Sequence, residues 1–129
     1  MTIKRLDHIG VLVDDLAEAQ RFLSGSLGLE LDRTVAGGSR RGAFYRCGEV
    51  EIEVLEDSDA DARDRVLAGS KARIEHIAVE VDDLDQTLAA LQGLGVKAAR
   101  GPITTGDRVN LWTDPETCDG VMYQLVEKR

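Results

Sequence analysis

The stretch DHIGVLVDDL at residues 7–16 returns as EHIAVEVDDL at residues 75–84, identical at seven of ten positions. The chain's only two histidines, His8 and His76, coincide in it. A duplication of this kind restricts the fold more than any other feature, because both copies must adopt the same local unit. The match continues into Leu27-Gly28-Leu29 and Leu94-Gly95-Val96, after a gap of one residue.

Each copy opens with alternating apolar residues, Ile9, Val11, Val13 and Ile77, Val79, Val81, which is strand periodicity. Asp15 with Glu18, and Asp83 with Gln86, have capping-box spacing and start a helix. Leu16, Ala19, Phe22, Leu23 and Leu84, Leu88, Leu91 give those helices one apolar stripe each. Gly28 and Gly95 stand where the helices end. Three further strands are predicted near Leu29–Val35, Arg41–Cys47 and Val50–Leu55 in the first copy. Those of the second copy fall near Val96–Arg100, Arg108–Thr113 and Val121–Val126. The expected class is therefore α+β, built from two tandem βαβββ modules. Residues 1–55 form the first module, 56–72 a polar connector with room for a short helix, and 73–129 the second. A single four-stranded module cannot cover both faces of its sheet, so the modules are expected to pack together as one structural domain.

The bulk numbers exclude several function classes. The chain has 129 residues and a net charge of −8, which disfavours partners with phosphate backbones or anionic lipid surfaces. No apolar run reaches membrane-spanning length, and residues 1–15 lack the apolar core of a signal peptide, so a cytoplasmic protein is expected. Cys47 and Cys118 lack zinc-like spacing and read as free thiols.

Successive strand residues point to opposite faces. Ile9, Val11, Val13 and their counterparts form the helix-packed face, leaving His8 and His76 on the other. The last strands divide likewise, placing Glu53 and Gln124 on the histidine side. These two are 71 positions apart, close to the 68 that separate the histidines. Two imidazoles, a carboxylate and a carboxamide make a candidate divalent-metal site of His8, Glu53, His76 and Gln124, with room left for substrate or water. Zinc, nickel, cobalt, manganese and iron all suit such donors.

These paired His-Ile-(Gly/Ala)-Val-x-Val-Asp-Asp-Leu stretches, with the duplicated module and acceptor strands, resemble the vicinal oxygen chelate superfamily. That group contains glyoxalase I, methylmalonyl-CoA epimerase, extradiol dioxygenases and the bleomycin resistance proteins. The runs RIEHIAVEVDDL and RVNLWTDPETCDGVMYQL are most similar to the second module of the epimerase. The resemblance implies a curved mixed sheet around a metal cleft, and ligands at His8, Glu53, His76 and Gln124. It also implies a homodimer, and a small substrate that chelates the metal through neighbouring oxygens. Acceptors are interchanged relative to the epimerase, where glutamine is common in the first half and glutamate in the second. Asp114 replaces the histidine usual before the proline.

The chemistry implied is proton abstraction next to a carbonyl, by an epimerase, isomerase or lyase. Glu53 is the leading base, and Tyr45 aligns with a further base of the epimerase. Glu51 and Glu80 are secondary proton carriers. Arg46, Asn110 and Trp112 are candidate substrate contacts, and Arg33, Arg40, Arg41, Arg46 and Arg108 concentrate positive charge suited to a carboxylate or phosphate. The alternatives are an extradiol-type dioxygenase, glyoxalase I, or a binding protein that sequesters a small molecule.

Overall fold

The computed structural model describes residues 2–129. The class is the expected α+β. The first repeat runs β1 (Ile3–Val13), α1 (Leu16–Arg21), β2 (Glu30–Gly37), β3 (Arg40–Cys47) and β4 (Val50–Asp57). The connector forms α2 (Ala60–Leu67), and the second repeat runs β5 (Ala72–Val81), α3 (Leu84–Gly93), β6 (Ala98–Thr105), β7 (Arg108–Thr113) and β8 (Met122–Lys128). By contacts the described chain divides into two compact units, His8–Glu75 and residues 2–7 with His76–Arg129.

In the unit His8–Glu75 the strands pair in the order β2-β3-β4-β1. Parallel pairing of β1 with β4 sets His8 opposite Glu51, Gly10 opposite Glu53 and Leu12 opposite Leu55. A parallel pair needs a long crossover, which α1 and the β2–β3 hairpin supply. Val13, Leu16, Leu23, Ala43, Tyr45 and Val54 form the core beneath α1. At the far end of the opposite face, Leu67 of α2 packs with Leu12 and Leu55. Gly42 lies under this cluster, where an added Cβ would stand 2.2 Å from the Val54 carbonyl oxygen.

The unit containing His76–Arg129 repeats the plan, with strand order β5-β8-β7-β6. Here His76 faces Met122 and Ala78 faces Gln124. Val81, Leu84, Val109, Leu111 and Leu125 form its core under α3. The edge strand β6 runs past its expected end at Arg100 as far as Thr105, through register breaks on either side of Arg100. Gly101 permits this bulge: its φ is +92°, and a Cβ would lie 2.6 Å from the Asn110 carbonyl oxygen.

The helix starts are also duplicated. Asp15 accepts from the Glu18 amide and Asp83 from the Gln86 amide, as the spacing predicts. A second cap was not visible in sequence. Glu56 Oε2 accepts from the Leu16 amide at 2.8 Å, and Glu127 Oε1 accepts from the Leu84 amide at 2.9 Å. Each helix thus has its first amide tied to the last strand of its own repeat, which fixes it over the sheet.

Candidate functional site

His8 and Glu53 occupy adjacent parallel strands, Glu53 being paired with Gly10 two residues beyond His8. His8 Nε2 and Glu53 Oε1 lie 3.5 Å apart. Both residues are buried, His8 at 2% and Glu53 at 8% exposure. Phe44, paired with Glu53 across β3, meets the His8 ring edge to face at a centroid distance of 5.1 Å. Arg33 lies over the other side of this arrangement, 3.9 Å from the Phe44 centroid. The imidazole is therefore held by packing as well as by its strand.

In the second repeat His76 is buried at 3% exposure. Gln124 is also buried, and its Nε2 donates to Asn110 Oδ1 at 2.9 Å. Asn110 Nδ2 in turn donates to the Ile103 carbonyl at 3.3 Å. The carbonyl at the end of this chain can only accept, so both carboxamides have a fixed orientation. Gln124 Oε1 is left as the free acceptor, with no hydrogen bond among the described residues.

These donors suit a divalent cation. Two ligands held about 2.1 Å from a tetrahedral ion stand about 3.4 Å apart, close to the His8–Glu53 separation. In its own repeat the oriented Gln124 oxygen is a neutral oxygen donor.

Tyr45 does not share the Glu53 face. It pairs with Ile52, sits at 2% exposure in the core under α1, and accepts from Gln20 Nε2 at 3.2 Å. The one-residue shift follows from strand alternation: Phe44 takes the position facing Glu53 and turns Tyr45 to the helix side. Glu51 lies on the Glu53 face but is bound by Arg33 Nη1 at 3.0 and 3.1 Å. Glu80 is enclosed by Lys4, Arg5 and Lys128, each 3.4 Å away. Burial alone would raise the Glu80 pKa, but Lys128 and Lys4 outweigh it and hold the carboxyl below its ordinary value.

The arginines singled out from sequence are neutralised internally. Arg40 bonds Asp57 and both Glu75 oxygens, Arg41 pairs with Glu56, and Arg108 with Asp7. Arg46 binds Asp32 at 2.7 Å and Glu30 at 3.3 Å. Asp32 is lowered to about 2 by the adjoining Glu51 carboxyl and then by Arg46 and Arg33. Trp112 pairs with Gln124 across β7 and β8, on the same face as Asn110. Two residues escaped the sequence reading. Phe44 is the counterpart of Trp112 at the histidine offset of 68, and Arg100, stacked on Trp112, repeats Arg33 on Phe44.

Known proteins agree with this architecture. The model of the Glyoxalase/Bleomycin resistance protein/Dioxygenase superfamily matches residues 5–124, and the chain belongs to that superfamily. The uncharacterized protein YqjC of Bacillus subtilis is 29% identical, over 98% of this chain and 94% of its own. Human mitochondrial methylmalonyl-CoA epimerase is 25% identical, over 94% of this chain and 72% of its own. A structure of Streptomyces coelicolor methylmalonyl-CoA epimerase with 2-nitronate-propionyl-CoA superimposes with a TM-score of 0.87. That likeness is 25% identical and covers 98% of this chain and 99% of the other. The fold is glyoxalase-like, and the relatives point to an enzyme. No helix among the described residues is long and apolar enough to cross a membrane.

Proposed function

We propose that the chain is a metal-dependent enzyme of the vicinal oxygen chelate type, an epimerase, isomerase or lyase that moves a proton next to a carbonyl. The observation that carries this reading is the buried His8–Glu53 pair at 3.5 Å, whose positions the repeat duplicates in His76 and Gln124. In the proposal these four side chains hold one divalent cation. When bound, the metal would polarise the substrate oxygens and stabilise the oxyanion that forms.

The chain's own residues divide the remaining tasks. Glu53 is assigned both a place on the cation and the α-proton, as the buried carboxylate beside His8, while Glu51 is held by Arg33 and Glu80 by Lys4 and Lys128. Phe44 keeps the His8 ring in place, and Asn110 fixes the orientation of the Gln124 carboxamide. A coenzyme A thioester is the favoured substrate class, on the strength of the epimerase relatives. A homodimer in the cytoplasm completes the proposal, and light scattering tests the assembly.

The test is elemental analysis of the purified protein, followed by incubation of the metal-loaded form with methylmalonyl-CoA in heavy water. Deuterium at the α-carbon supports the reading. A loaded protein that exchanges none overturns the epimerase assignment, and a protein that binds no divalent metal overturns the whole.

A further inference from the structure

The two repeats carry the same row of side chains across three strands. In the first it is Glu53 on β4, Phe44 on β3 and Arg33 on β2. In the second it is Gln124 on β8, Trp112 on β7 and Arg100 on β6. Each row ends with a guanidinium over an aromatic ring, Arg33 at 3.9 Å from Phe44 and Arg100 at 4.9 Å from Trp112.

Charge separates the rows. Arg33 is paired with Glu51 and Asp32, both through Nη1. The second repeat has no such carboxylates. The residue corresponding to Glu51, paired with the histidine of its strand, is Met122. Arg100 forms no ion pair or hydrogen bond among the described residues and is exposed on the edge strand. A guanidinium held over an indole has already lost much of its freedom, so little further ordering opposes the binding of an anion.

We infer that Arg100, steadied by Trp112, is a specificity-determining residue that takes an anionic group of the substrate, a carboxylate or phosphate. This rests on the metal reading proposed above. The strand spacing sets the reach. Two steps of about 4.8 Å separate the Gln124 and Arg100 backbones, so the anion lies a few bonds beyond the chelating oxygens.

Two small chelators test this. Acetohydroxamate carries only the metal-binding group, whereas succinic monohydroxamate adds a carboxylate at the required distance. Calorimetric titration of the metal-loaded protein should show the second binding about tenfold more tightly, the usual effect of one charge-assisted bond. Arg100→Ala should abolish that advantage with the acetohydroxamate affinity unchanged, Arg100→Lys should keep part of it, and Arg21→Ala should leave it intact. Trp112 is the only tryptophan, so its emission should change on binding the carboxylated probe and not on binding acetohydroxamate. Equal affinity for the two probes, or an advantage that survives Arg100→Ala, overturns the inference and leaves the metal reading standing. Failure of both probes to bind removes the metal reading and this inference with it.

Discussion

Gln124 Nε2 donates to Asn110 Oδ1 at 2.9 Å, and this one bond decides that the glutamine oxygen is the end left to accept. Asn110 is itself pinned by its donation to the Ile103 carbonyl. Replacing Asn110 by Leu keeps the volume, removes both bonds and frees the carboxamide to rotate. Loss of a partner that orients a metal ligand typically weakens metal binding roughly 10–100-fold. Asn110→Leu should show such a loss in a zinc or cobalt titration, with a fall in stability of about 1–3 kcal/mol from the stranded buried groups. Unchanged metal affinity would show that Gln124 is not a ligand.

Glu53 has two assigned roles, and Glu53→Gln separates them. The amide keeps an oxygen for a cation but cannot accept a proton. Exchange of the substrate α-proton should drop by roughly 10²–10⁴-fold. Metal content should fall less than in His8→Ala or His76→Ala, where a nitrogen donor is deleted outright. Mass spectrometry of deuterated product and elemental analysis of the same preparations give both readings. Full exchange by Glu53→Gln would transfer the base role to another residue.

The helix caps from the last strands lend themselves to a stability test. Glu127→Ala leaves the Leu84 amide without its acceptor and should cost about 1–2 kcal/mol in chemical unfolding. Glu56→Ala should do the same at Leu16. The Leu84 amide and then Arg129 hold the Glu127 pKa below its ordinary value. Its stabilisation is therefore present above the unfolded value and is lost as pH falls through the folded one. Glu127→Gln, which still offers an oxygen to Leu84, should keep much of the stability at pH 7 and flatten that acid limb.

Much of this was legible because the duplication acts as an internal alignment. His8 and His76, the strand alternation and the Asp15 and Asp83 caps follow from residues close in sequence, where local rules suffice. Tyr45 shows the limit. Its assignment needed the β3 register to within one residue, and a shift of one places a side chain on the opposite face. Arg100 was hidden for a related reason, since the bulge at Gly101 is set by backbone approach to Asn110 and leaves no periodic signal. The arginines chosen because they concentrate charge on these strands are paired with carboxylates in the structure. Whether a guanidinium is available depends on which carboxylates the pairing brings beside it, as Arg40 with Asp57 and Glu75 demonstrates. The same offset of 68 that aligned the histidines also aligns Phe44 with Trp112, so this pair could have been found.

Glu80 provides a way to distinguish a structural carboxylate from a chemical one. Burial opposes its ionisation, yet Lys128 and Lys4 hold its pKa below the ordinary 4.5. A group with a depressed folded pKa stabilises the protein above its unfolded pKa, and that contribution disappears as pH falls through the folded value. Glu80→Gln removes the charge and keeps the shape. The variant should be less stable than the parent at pH 7, and the two denaturant midpoints should converge as pH is lowered below the ordinary carboxyl value and through the depressed folded one. Because the carboxylate is fully engaged by cations, proton exchange at the substrate should be unaffected by the same change. A variant with parental stability at pH 7 and reduced exchange would reverse this assignment and make Glu80 the second proton carrier.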